Sequence, residues 1–133
     1  YIPDIDQRMA AYRRLARMNE LQTVRHFKNE LIDRYGKPPI EANNLLFKIV
    51  LKILAKKAGI AKLDLSDRQM HLQFSATHLK NTQALVELIQ SAPQSYELTP
   101  GQVLKIKLKH DHGSSHLRYA KNILKDIVQR VKN

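Results

Sequence analysis

The chain of 133 residues has no cysteine and no tryptophan, and only four glycines. Without cysteine there is no disulfide scaffold and no thiolate zinc site, a composition compatible with a cytoplasmic home. The few glycines leave no phosphate-cradling G-x-x-x-x-G-K-[ST] or G-x-G-x-x-G loop, and there is neither a G-x-S-x-G elbow nor an H-E-x-x-H helix. Aromatics are sparse, with five Tyr and three Phe, most of them inside apolar stripes. Long hydrophobic runs are also lacking. The most apolar stretch, Leu45 to Ala55, is broken by Lys48 and Lys52 and is too short to span a bilayer. No signal peptide is visible. These absences turn the reading away from a catalyst and towards an interaction module.

What is present suits one soluble domain spanning residues 1–133. A hydrophobic content of 43% argues against disorder, and a chain of this length can build a single core. With no initiator Met and an extended Tyr1-Ile2-Pro3 lead-in, the sequence reads as a fragment of a longer chain. The net charge is +11 and unevenly spread. Residues 1–59 carry 12 basic and 6 acidic side chains, residues 60–98 carry 3 and 4, and residues 99–133 carry 8 and 2. Basic ends around a near-neutral middle suit a polyanion or an acidic protein surface, or simply a soluble surface.

Periodicity organises the chain. Asp4 is placed to cap a first helix, with Gln7 as its capping-box mate. Ile5, Met9, Tyr12 and Ala16 then recur at spacings of 4, 3 and 4 as its expected core stripe. Asn19 and Gln22 suggest a second cap. Leu21, Val24, Phe27, Leu31 and Tyr35 form the buried face of a second helix, which Gly36 and the Pro38-Pro39 pair terminate. A third helix runs from about Ile40 to Ala58 and stops at Gly59. It is apolar on most sides and so expected to lie centrally, with Glu41, Asn44, Lys48, Lys52 and Lys56 as its polar strip.

After Gly59 the period falls to two. A hairpin is expected over residues 60–75, turning at Ser66-Asp67-Arg68. A short helix capped by Asn81 follows, with Leu85, Val86, Leu88 and Ile89 inside and Pro93 as its stop. A second hairpin joins Ser95–Leu98 to Val103–Lys109 through Pro100-Gly101. The last helix runs from about Ser115 to Val131, with Leu117, Ala120, Leu124, Ile127 and Val131 on its core face. The order is three helices and then two ββα units: an α+β fold with helices packed on an antiparallel sheet.

Three clusters invite a functional reading. His110-Asp111-His112 with His116 has zinc-ligand chemistry, but it falls in a Gly113-Ser114-Ser115 loop with no fixed four-ligand geometry, so a solvated loop is the preferred reading and no metal is assigned. Lys105, Lys107 and Lys109 alternate along one strand face, about 6.6 Å apart, a spacing that could track a phosphate backbone. Lysines also protect edge strands from pairing, and the lack of stacking aromatics favours that reading. Glu30, Asp33 and Arg34 project from the end of the second helix. Glu30 and Arg34 suit an ordinary i, i+4 ion pair. Asp33 stands in a last helical turn, where the helix dipole favours cations, and so is left without a local reason.

The same stretch carries a family resemblance. Tyr1-Ile2-Pro3-Asp4 with Arg8 and Tyr12, then Glu30-Leu31-Ile32-Asp33-Arg34-Tyr35-Gly36 with Pro39, then Leu45-Leu46, Gly59-Ile60 and Lys62-Leu63, resemble in order and spacing the C-terminal domain of the bacterial transcription-repair coupling factor (Mfd) family. The similarity extends more weakly to the last helix. It implies a parent that is a large cytoplasmic ATPase, moving on double-stranded DNA, displacing stalled RNA polymerase and recruiting the UvrA excision-repair protein. The motor, with its ATP and Mg, would lie outside this chain. This domain would be non-catalytic and hold no cofactor. Its implied role is regulatory: it docks on a UvrB-like N-terminal module, masks the UvrA-binding surface and restrains the translocase, with Glu30, Asp33 and Arg34 matching the family's contact surface. The competing reading is a basic nucleic-acid-binding accessory module built on the Arg8–Arg17 surface and on Lys105, Lys107 and Lys109.

Overall fold

The structure is a computed structural model that describes residues 1–66, 68–75, 82–99, 103–108 and 116–132. Within them lie α1 (Ile5–Ala16), α2 (Leu21–Tyr35), α3 (Ile40–Lys57), β1 (Ile60–Leu65), β2 (Gln69–Phe74), α4 (Thr82–Ser91), β3 (Tyr96–Thr99), β4 (Val103–Lys107) and α5 (His116–Lys132). This is the expected α+β order of three helices followed by two ββα units. The chain divides into two compact units, Tyr1–Ile53 and Leu54–Asn133. Among the described residues, no helix is long and apolar enough to cross a membrane.

In the first unit, the Asp4 carboxylate accepts from the Gln7 amide at 3.0 Å, as a cap should. The reciprocal half of the box is diverted, because Gln7 Oε1 accepts from the Tyr35 hydroxyl at 2.9 Å. The core joins Leu15, Val24, Phe27, Leu31, Leu46 and Ile53, with Ala11, Met18 and Leu21 partly buried against it. The expected core stripe of α1 is therefore wrong. Ile5, Met9 and Tyr12 are 67%, 47% and 46% exposed, and Ala16 is exposed as well. Helix α1 carries a second apolar row, Ala11 and Leu15, continued past the helix end by Met18 and lying roughly 120° around its axis from the first. That row enters the core, since the adjoining face is tied to α2 through Gln7 and Arg14.

Helix α2 buries the face its sequence indicates. Its N-cap is Glu20, which makes no side-chain capping bond, rather than Asn19. Its end falls at Gly36, with φ 83° and ψ −164°, and the Gly36 N–H donates to the Ile32 carbonyl at 2.9 Å.

In the second unit, the strands form one antiparallel sheet in the order β1-β2-β4-β3. Ser66 closes the first turn, its Oγ accepting from the Gln69 amide at 3.1 Å, while Asp67 and the Pro100-Gly101 turn lie outside the described residues. The central strands bury Met70, Leu72, Leu104 and Ile106 almost completely. Leu117, Ala120, Leu124 and Ile127 of α5 are buried as read, joined by Ile123. Three expectations change. Val86 is 41% exposed. The last strand ends at Lys107, and Lys109 lies outside the described residues. Most consequentially, β4 pairs with both β2 and β3. Its lysines cannot be edge protection, because hairpin order along the chain does not determine strand order across a sheet.

Two stability tests follow from this architecture. Gly36 adopts a φ,ψ combination that is essentially glycine-only, so although a Cβ there would meet nothing within 4 Å, Gly36→Ala should cost about 1–3 kcal/mol of unfolding free energy in urea. Tyr96 on β3 is half-buried. Burial first, and then the charge of Asp126 and the neighbouring Tyr119, hold its hydroxyl above the ordinary tyrosine pKa, with Arg130 partly opposing. A pKa raised by folding contributes stability below about 10 that disappears as pH climbs through the folded value. Tyr96→Phe should therefore flatten the loss of stability at alkaline pH, measured by urea midpoints on either side of pH 10.

Candidate docking interface

The last turns of α2 are assembled by three contacts that no local sequence rule announces. The single hydroxyl proton of Tyr1 is shared between the carbonyl oxygens of Leu31 (3.0 Å) and Gly36, the second of which a helix end leaves without an intrahelical partner. Its ring packs edge-on to Tyr35 with centroids 5.7 Å apart. Partial desolvation, and then the proximity of Tyr35, raise the Tyr1 hydroxyl above its ordinary pKa. The hydroxyl of Tyr35 in turn reaches Gln7 on α1. The N-terminal residues, α1 and the end of α2 are thus clasped together.

On that platform sit the three residues singled out from the sequence. Glu30 is held at 3.0 Å by Arg14 of α1, with both side chains about half exposed, so its partner comes from a neighbouring helix and not from the i+4 position. The Arg14 guanidinium also lies 4.7 Å from the Phe27 ring centroid. Arg34 lies over the ring of Tyr35 at 5.4 Å. Glu30 and Arg34 line a groove of about 140 Å³ whose floor includes Ala10, Ala11 and Leu31. Asp33, about 60° further round α2 than Glu30, is exposed. Among the described residues it makes no hydrogen bond or ion pair. The structure therefore brings Glu30 and Arg34 to one groove rim and leaves Asp33 beside it, presented to solvent. Arg14, Gln7 and Tyr1 were missed by sequence reasoning. Each acts through a partner roughly 16 to 35 positions away, a separation that no windowed pattern registers.

The concavities among the described residues are small. The groove, and two further concavities of about 270 and 240 Å³, fall below the ~300 Å³ of a usual small-molecule site. Among the described residues no polar or charged side chain is buried, and no three His, Cys, Asp or Glu side chains group as metal ligands. The His110–His112 cluster lies outside the described residues, and nothing is described of the His116 side chain.

Lys105 and Lys107 are exposed on one face of the sheet. Lys105 stands between His71 of β2 and Glu97 of β3, while Asp64 of β1 pairs with His71. One cross-strand row therefore reads Asp64, His71, Lys105, Glu97, with charges of both signs, and is not an unopposed cationic stripe.

A protein-family model described as the TRCF domain matches residues 1–85. The transcription-repair-coupling factor of Escherichia coli strain K12 is 28% identical over 131 residues, covering 98% of this chain and 11% of that protein. Its counterpart in Rickettsia typhi strain Wilmington is 39% identical over 74 residues, covering 56% of this chain and 7% of that protein. The chain thus spans about a tenth of the length of these curated relatives. Among solved structures, a crystal structure of the C-terminal domain of a transcription-repair coupling factor shares the fold. Its TM-score is 0.79 at 16% identity, covering 99% of this chain and 85% of the other.

The geometry ranks three substitutions by urea denaturation. Arg14→Ala should cost the most, about 1 kcal/mol, because it loses a half-exposed ion pair and the stacking on Phe27. Glu30→Ala should cost less than that, within the ~0.2–1 kcal/mol usual for exposed pairs. Asp33→Lys should change stability by no more than about 0.5 kcal/mol. A large cost for Asp33→Lys would show that this carboxylate serves the fold and not a partner.

Proposed function

The chain belongs to the TRCF domain family, and from that premise we propose that it is the non-catalytic, regulatory C-terminal domain of a transcription-repair coupling factor. In this reading it docks on a UvrB-like module of the same polypeptide, covers the surface that UvrA would use, and restrains a DNA translocase carried elsewhere in the parent. ATP and Mg belong to that motor; RNA polymerase and double-stranded DNA are the parent's partners. The observation that carries the reading is Asp33: an exposed carboxylate without an ion pair among the described residues, in a last helical turn where the dipole disfavours it, flanked by Glu30 and Arg34 on a groove rim.

Asp33 and Glu30 offer carboxylates, and Arg34 a planar guanidinium fork, to complementary charges on the neighbouring module. Arg14 and Tyr35 restrain two of the three by the ion pair and the ring contact, so less side-chain freedom is lost on docking. The lock need not be strong. A bias of about 2.7 kcal/mol keeps the masked state near 99% and lowers the apparent affinity for UvrA about a hundredfold. Engagement of the polymerase by the parent can overcome that bias.

In the intact parent, Asp33→Lys should raise UvrA affinity towards that hundredfold limit, measured by titration with labelled UvrA. In parallel, this chain should bind the isolated UvrB-like module, weaken at least tenfold with Asp33→Lys, and keep its affinity when duplex DNA is added as competitor. Unchanged UvrA affinity in the variant would sink the masking role. Loss of module binding to competing DNA would favour the accessory nucleic-acid reading.

A further inference from the structure

We propose that α1 is a second docking surface, one that takes an acidic amphipathic helix of a protein partner along the exposed row Ile5-Met9-Tyr12. The three side chains are 67%, 47% and 46% exposed. They fall at i, i+4 and i+7, and with Ala16 they run about 16 Å along the helix, three turns of a straight line. Single exposed apolar residues are ordinary; a periodic row of them on one helix face marks an interface. Helix-in-groove recognition uses this spacing.

The groove is present beside the row. Arg8, Ala11 and Tyr12 of α1 and Glu41, Ala42 and Leu45 of α3 bound a concavity of about 270 Å³, lined mainly by apolar atoms and able to receive a partner's apolar side chains. Tyr12 belongs to both row and groove, so the two form one surface within the first unit.

Charge selects the occupant. On a wheel of 100° per residue, Arg8 borders the row on one side and Arg13 on the other, with Arg17 just past the helix end beyond Arg13; Asp6 on α1 and Glu41 at the groove are the acidic residues beside them, fewer than the three arginines. All three arginines are exposed. A helix with Leu-like residues along its centre and Glu or Asp on its flanks matches both the apolar row and the guanidinium borders. Nucleic acid does not. A phosphate backbone laid along this line would meet Ile and Met, which offer no hydrogen bond, between arginines that contact its edges only. This surface is separate from Asp33 in sequence and chemistry, so it stands or falls apart from the masking role.

The test titrates the 133-residue chain with a synthetic helical peptide of about three to four turns, carrying leucines at i, i+4 and i+7 and glutamates on both flanks. The expected result is saturable binding at about 100 μM or tighter, with amide NMR shifts centred on residues 5–16. Ile5→Asp combined with Met9→Asp should weaken binding at least tenfold. Both substituted positions lie on the exposed face, and circular dichroism and the urea midpoint confirm that the variant is folded. Four results would each overturn the proposal: no saturable binding, equal binding of the same peptide with lysine flanks, displacement of the peptide by a short DNA duplex, or concentration-dependent self-association of the chain that the double variant abolishes. The last would make a second copy the occupant.

Discussion

The arrangement depends on how α2 ends. A helix that stops leaves carbonyl oxygens without partners, and a poorly satisfied end frays. Here the stop is imposed twice. Gly36 adopts a positive φ that few other residues tolerate, and the hydroxyl of Tyr1 returns from the start of the chain to donate to the carbonyls of Leu31 and Gly36. Tyr35 passes the constraint on, through its ring to Tyr1 and through its hydroxyl to Gln7. Remove the stop and the last turn is free to rotate; Glu30, Asp33 and Arg34 then have no common direction. A surface that recognises by charge geometry needs its charges held in place; here neutral hydrogen bonds and ring contacts fix the helix end, Arg14 pairs with Glu30, and Asp33 stays exposed.

What could be read from the sequence was what is decided locally. The Asp4 cap, the Gly36 and Gly59 stops, the buried face of α2 and the ββα repeats all rest on residues within a turn or two of each other, and all are present. The α1 error has a clear physical source. Periodicity finds apolar rows but cannot say which row a neighbouring helix will cover, and α1 has two. Its rotation is decided by Gln7 meeting Tyr35 and Arg14 meeting Glu30 and Phe27, contacts between elements far apart in the chain. The interior position of β4 was hidden for the same reason: a hairpin specifies which strand is its partner, not what lies on that partner's other side. Of the candidate site, the residue types and their helix end were legible through Asp33's conflict with the helix dipole. The supporting shell was not, because each member contributes through a long-range partner.

The two faces of the first unit differ in kind. The α2 end offers exposed charges whose attraction fades over a Debye length of about 8 Å at physiological salt. They contribute orientation and encounter rate more than residence time. The α1 row offers apolar area, whose burial is worth roughly 25 cal/mol per Å² whatever the ionic strength. A domain meant to hold its partner permanently would bury a large continuous apolar surface; a domain meant to be released does better with modest contributions of different origin.

That difference bears on how the proposed docking contact could be undone without unfolding anything. The core under both faces contains no buried polar side chain among the described residues, so loss of a docking contact leaves no desolvated charge behind and exposes no strained group. The charges at the α2 end exchange a partner for water at a cost of a few kcal/mol at most. Under the proposed docking, release would be a competition between surfaces, in which whatever engages the neighbouring module more favourably displaces this one, while the Gly36 stop, the tyrosine clasp and the helices beneath stay as they are. The rigidity of the helix end and the weakness of the contact it presents are complementary properties: the first keeps docking specific, and the second keeps it reversible.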